Sequence, residues 1–172
     1  MIVRRERPAD SAAVHALHAA AFRPPGARPD ADVVEARLTD ELREDAGFLP
    51  HLSLVATDGA VVGHVIATRG RLEPLGVPAL GLGPLGVLPA AQGRGVGTVL
   101  VHALLAVAEA ADERLVALLG APGYYRRFGF VAAATVGVAA PDPAWGEHFQ
   151  ARWLGERRAE GTFRYAEPFA RL

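Results

Sequence analysis

A chain of 172 residues with 51% apolar and 22% charged side chains is long enough for one domain (1–172) with a sizeable core. Its net charge of −1 leaves no global field to draw it to nucleic acid or to an anionic membrane. There is no cysteine, which excludes disulfides, thiolate metal sites and cysteine nucleophiles, and all 18 Lys-plus-Arg positions are arginine, which excludes a phosphate loop built around a lysine. Glycine and proline interrupt the apolar runs well short of the roughly 18 residues a membrane span requires. Met1–Glu6 has no signal-peptide core, so a cytoplasmic protein is expected.

Ile2–Arg5 reads as a first strand. Asp10 or Ser11 starts a helix to about Phe22, with Val14, Leu17 and Ala21 on one face, and the proline-rich stretch Arg23–Pro29 is a loop. A second amphipathic helix spans Asp32–Glu44, with Val34, Leu38 and Leu42 inward. Leu52–Thr57 and Ala60–Arg69 form a hairpin through Asp58-Gly59. A glycine-rich fourth strand covers Ala79–Leu88, and a helix spans Thr98–Ala111. Arg114–Leu119 is a fifth strand, Gly123–Phe128 a short helix, and Gly129-Phe130 the return into another strand. Glu147–Leu154 reads as a helical turn or two and Gly161–Tyr165 as an edge strand. Early strands followed by alternation predict an α+β sheet with helices on both faces.

The connection Leu88-Pro89-Ala90-Ala91-Gln92-Gly93-Arg94-Gly95-Val96-Gly97 carries the clearest chemistry. Alternate glycines let backbone N–H groups turn inward at a helix N-terminus, where orphan donors and the helix dipole favour an anion. The spacing Gly-x-Gly-x-Gly misses the dinucleotide pattern Gly-x-Gly-x-x-Gly. On its own the turn is equally well read as a tight connection that needs small residues.

Its context resembles the GNAT superfamily of acyl-CoA N-acyltransferases. Gln92, Gly95 and Gly97 match that family's Gln/Arg-x-x-Gly-x-Gly/Ala signature after the lead-in Leu85–Pro89. Tyr125, four residues before Gly129-Phe130, matches its late tyrosine signature. The resemblance extends, more thinly, through Trp145–Leu154 and Gly161–Tyr165 to poorly characterised bacterial members.

The resemblance implies a GNAT fold, a single mixed, mostly antiparallel twisted sheet of about six to seven strands. It also implies transfer of an acetyl or other short acyl group from acyl-CoA to an amine acceptor within a ternary complex. Gln92, Gly93, Arg94, Gly95, Val96, Gly97 and Thr98 would hold the coenzyme A pyrophosphate, and Leu85, Gly86 and Val87 the pantetheine arm. Tyr124 would line the cofactor site, and Tyr125 would protonate the departing thiolate. Arg126 and Arg127 read as solvated charge. Many members place an asparagine before the tyrosine helix; this chain has none, and Ala121-Pro122-Gly123 stands there.

The base is the least defined element. The fourth strand has no titratable side chain, which leaves Glu73 on the preceding connection and His64 on the third strand as candidates. His102 falls on the outer face of the long helix, and His15 and His18 lie near a loop expected to shape the acceptor pocket. No histidine has metal-ligand spacing, so no metal is expected. The partners expected are acyl-CoA and an amine, with no nucleic acid and no membrane, for a monomer or homodimer. A non-catalytic acyl-CoA-binding module is the alternative, and a nucleotide-binding α/β protein a third reading.

Overall fold

The structure, a computed structural model, describes residues 1–28, 31–156 and 159–171. In chain order it runs β1 (Ile2–Arg5), α1 (Ser11–Ala21), α2 (Val34–Glu44), β2 (Phe48–Asp58), β3 (Ala60–Glu73), β4 (Val77–Val87) and α3 (Val96–Ala110). There follow β5 (Leu115–Leu119), α4 (Pro122–Tyr125), β6 (Val131–Ala132), β7 (Val138–Ala139), β8 (Phe149–Trp153) and β9 (Gly161–Arg164). The strands form one sheet in the order β1-β2-β3-β4-β5-β8-β6, with β9 joining β3 to β7. Pairing is antiparallel except between β4 and β5 and between β7 and β9.

Periodicity explains most of this. Leu100, Leu104 and Ala108, with Val101 and Leu105, lay an apolar stripe of α3 on one sheet face, against Leu54, Val65, Leu80, Leu82 and Val116. On the opposite face Leu38 and Leu42 of α2 cover Ile66, beside Ala166 and Phe169. A second cluster there joins Leu72, Ala79, Ala117, Phe149 and Phe163. The hairpin reverses at Gly59, whose φ of +78° a side chain would disfavour.

The mixed, mostly antiparallel sheet with helices on both faces agrees with expectation. The nine strands among the described residues exceed six or seven because β7, two residues long, is too short to leave a pattern and β8 falls where a helical turn was expected. Three local expectations are corrected. Glu147–Leu154 is not helical: a 3-10 segment ends at His148, and Phe149–Trp153 is a strand flanked by β5 and β6, where two ladders override local preference. Val34 faces outward at 42% exposure while Val33 is buried. Residues spaced by four drift about 40° per step around a helix, so Val34 leaves the face that Leu42 occupies. The last strand is no free edge, since β3 and β7 flank it. Of the 23–32 loop, positions 29 and 30 lie outside the described residues. Among the described residues no helix is long and apolar enough to cross a membrane.

Candidate active site

The site begins where the sheet forks. β4 and β5 run parallel but pair only at Leu80–Val116 and Gly81–Ala117. Beyond that point Leu85, Gly86 and Val87 keep their ladder to β3, opposite Val65, His64 and Gly63, while β5 continues on β8 as far as Leu119–Phe149. Among the described residues the inner edge of each strand is thus left without a strand partner past the fork, and such an edge is a template for an extended chain. A register shift between Val65 and Ala67, opposite Leu85 and Leu82, adds a bulge to β4 at Gly83-Pro84. Gly83 has φ +139°, and no atom lies within 4 Å of where its Cβ would stand.

At the far end of β4 the chain turns into α3. The Gln92 side-chain amide donates to the Val87 carbonyl at 3.1 Å and ties the turn to the strand end. Gly93 and Gly95 have φ +72° and +82°, and apart from their chain neighbours nothing among the described residues stands within 4 Å of either Cβ position. Gly95 is the α3 N-cap and supplies no side-chain hydrogen bond, so the first-turn N–H groups of Val96, Gly97 and Thr98 face outward unsatisfied by a cap. This turn, read in the sequence as a candidate anion cradle, lies open at the mouth of the fork. Arg94 is exposed beside it, 3.8 Å from Asp58.

The tyrosine helix closes the third side. A Cβ at Gly97 would stand 2.7 Å from the Tyr124 hydroxyl and 3.7 and 3.8 Å from Val87 and Leu85, so a side chain there would push the Tyr124 hydroxyl aside. Arg127 caps the Tyr124 ring 4.8 Å from its centroid and donates to the Tyr124 carbonyl at 2.9 Å. Arg126 and Arg127 are both exposed. The Tyr125 ring lies on Gly120 at the end of β5, where a Cβ would come within 2.4 Å of Cε2, and packs among Tyr124, Phe128 and Phe130. Burial, with a smaller effect from Tyr124, pushes the Tyr125 hydroxyl up to about 12, so it holds its proton at neutral pH. Ala121, where an asparagine is common, offers its backbone carbonyl to the Tyr124 and Tyr125 amides.

The turn, the inner edge of β4 and the two tyrosines are therefore brought together. Glu73 is not. It lies eight positions along β3 from Val65, roughly 26 Å at strand rise, held by Arg164 at 2.8 Å and Arg71 at 3.1 Å, which keep its carboxyl below the usual range. His64 is close to the fork, opposite Gly86, but fully buried and engaged at both ring nitrogens. Its Nε2 is 3.0 Å from Ser53 Oγ and 3.3 Å from Glu6 Oε2, and its Nδ1 is 2.8 Å from His18 Nε2. Burial pushes Glu6 up, but hydrogen bonds from His64, Ser53 and Arg43 outweigh it and bring the carboxyl to about 2. With Glu6 ionised, His64 Nε2–H donates toward Ser53 Oγ and Glu6 Oε2; His64 Nδ1 then accepts from His18 Nε2–H, and His18 Nδ1 is left with a lone pair over Gly86. That nitrogen has no hydrogen-bond partner among the described residues and stands 2.8 Å from the Gly86 Cβ position. Burial lowers both imidazoles, His18 to about 2. Glu6 and Ser53 carried no local signal in the sequence, because their partners lie on other strands. His102 is exposed on α3, edge-on to Phe128 at 5.0 Å. Among the described residues no group of three or more His, Asp or Glu side chains gathers as a metal site would require.

Comparison with known proteins agrees with this geometry. The model of the acetyltransferase (GNAT) family matches residues 12–130. The uncharacterized N-acetyltransferase YhbS of Escherichia coli K12 is 33% identical over 177 residues, covering 100% of both chains. The uncharacterized N-acetyltransferase YjhQ of the same strain is 37% identical over 124 residues, 70% of this chain and 68% of its own. A GNAT family acetyltransferase from Brucella melitensis, solved in complex with acetyl-CoA, shares 35% identity at TM-score 0.78 over 98% of this chain and 97% of its own. E. coli YhbS, solved with CoA, superposes at TM-score 0.85 with 30% identity over 98% and 91%. The chain belongs to the GNAT acetyltransferase family.

Proposed function

We propose that this protein transfers an acetyl or other short acyl group from acyl-CoA to an amine, directly and within a ternary complex. The observation that carries the reading is the fork between β4 and β5, opening beside an uncovered glycine turn at the N-terminus of α3. Two relatives of nearly full coverage, solved with acetyl-CoA and with CoA, support it.

In this reading the N–H groups of the 92–98 turn, with Arg94, hold the pyrophosphate, and the inner edge of Leu85, Gly86 and Val87 pairs with the pantetheine arm. Tyr124 lines the arm where it passes Gly97. The amine nitrogen bonds to the thioester carbon, the carbon–sulfur bond breaks, and Tyr125 gives its proton to the departing thiolate sulfur, while the nitrogen releases its extra proton to solvent and Tyr125 regains one from solvent. A chain without cysteine has no thiol to carry the acyl group between two half-reactions, in keeping with direct transfer. β4 carries no titratable side chain, so the acceptor's own pKa sets how much of it is uncharged and able to attack.

Calorimetry with acetyl-CoA, followed by thiol release across a panel of primary amines, tests the reading. Binding in the micromolar range with amine-dependent release is expected. No binding would sink the cofactor assignment. Binding with no amine-dependent release would instead identify an acyl-CoA-binding module of the same fold.

A further inference from the structure

At the closed end of the fork stands a side chain to which the chemistry above gives no role. Tyr165, just past β9, lies flat on Gly81, the last residue of β4 to pair with β5: a Cβ at Gly81 would meet its Cδ1 and Cε1 at 2.6 and 2.9 Å. Its ring is wedged among Phe163, Phe169, Phe149 and Trp145, at centroid distances of 4.7, 4.6, 6.3 and 6.4 Å. Such a cluster does not yield to a ligand as a surface side chain would.

The hydroxyl of this tyrosine is shielded from solvent and has no hydrogen-bond partner among the described residues. The Thr68 hydroxyl, on β3 directly opposite Gly81, is likewise buried and unpartnered. Buried hydroxyls are nearly always paired, and an exception calls for a ligand or a function. Burial, and to a smaller extent the nearby Tyr125, raises the pKa of the Tyr165 hydroxyl, so it stays a donor. Tyr125 rests on Gly120 at the end of β5, and Tyr165 on Gly81 of β4, so the two phenols flank the fork from its two strands. From Val87, at the glycine turn, to Gly81 is six residues of strand, about 20 Å. An arm laid along β4 from the cradle therefore carries its acyl end toward Tyr165.

We infer that Tyr165 forms the blind end of the acyl site, its ring limiting the acyl group to a short chain and its hydroxyl donating to the acyl carbonyl oxygen. The inference rests on the acyltransferase reading and adds a specificity-determining residue to it. It makes short-chain acyl-CoA, acetyl above all, the donor class. A longer chain must displace an aromatic cluster that closes the far side of the fork.

The test needs no knowledge of the acceptor. Dissociation constants for CoA, acetyl-CoA, butyryl-CoA and hexanoyl-CoA are measured by calorimetry on the wild type, Tyr165→Phe and Tyr165→Ala, with CoA affinity as the control for folding. The wild type is expected to bind acetyl-CoA at least tenfold more tightly than hexanoyl-CoA. Tyr165→Ala should gain at least tenfold for hexanoyl-CoA while CoA affinity holds. Tyr165→Phe should keep the chain-length order but weaken acetyl-CoA relative to CoA by about fivefold, the scale of one lost hydrogen bond. Should Tyr165→Ala fail to fold, Tyr165→Leu opens the same space. A wild type that binds no acyl-CoA overturns the acyltransferase reading itself. A wild type that binds acetyl-CoA, with all variants sharing its chain-length profile and its acetyl-CoA-to-CoA ratio, overturns only the role of Tyr165.

Discussion

Acidification should weaken this protein well before its carboxylates titrate. His18 is buried between α1 and β4, and burial lowers its pKa from 6.5 to about 2, with smaller contributions from His64 and Arg43. Between those values the unfolded chain binds a proton at this position that the native protein does not, so stability rises with pH and is lost on acidification. For a group at 6.5 in the unfolded chain, moving from pH 7 to pH 5 costs about 2 kcal/mol. At this chain length that is roughly 4–8 °C in Tm. His64, also lowered by burial, adds in the same direction. Glu6 does not contribute in this window, because its unfolded value of 4.5 and native value of about 2 place its loss below pH 5. Circular-dichroism melts at pH 7, 6 and 5 measure the drop. His18→Gln keeps an N–H for His64 Nδ1 and removes the titration, so its Tm should be lower at pH 7 but fall by some 4–8 °C less on reaching pH 5. Equal drops in the wild type and His18→Gln would refute the argument that burial holds His18 neutral.

Further predictions concern the fork. Tyr125→Phe should lower kcat about a hundredfold, the usual scale for a positioned acid, with acetyl-CoA affinity within about twofold; equal loss of both in stopped-flow and calorimetry would remove Tyr125 from the acid role. Gly95→Val puts a branched side chain into the open cradle at φ +82° and should weaken acetyl-CoA at least tenfold in calorimetry. Undiminished affinity would show that the anion binds elsewhere. Glu73→Gln should leave kcat within about twofold, since Glu73 is paired with arginines at the far end of β3. A tenfold loss in a folded variant would restore it as the base.

Much of the site was legible because its parts are local. A strand, a turn with glycines at alternate positions and a helix follow one another without a gap, and each leaves its own periodicity or backbone demand in the chain. The same holds for Tyr125, whose place depends on Gly129 and Phe130 nearby. Glu73 misled because proximity in sequence to β4 hides an antiparallel geometry, in which the residue before the β3–β4 connection is carried to the end opposite the fork. Val34 misled because a spacing of four drifts around the helix.

What the sequence determined by itself is the succession of elements from β1 to α4 and the glycine turn at 92–97, since these rest on φ preferences and on periods of two and 3.6 residues. Only the tertiary structure decided that β4 and β5 part after Gly81 and that β8 is a strand. It alone brought Glu6, Ser53, His64 and His18 into one buried chain, and set Tyr165 on Gly81 at the fork. Each of these joins residues from distant parts of the chain, so no local pattern carries it. The free energy that selects them comes from burial and hydrogen bonding, which exist only once the sheet has closed over both faces.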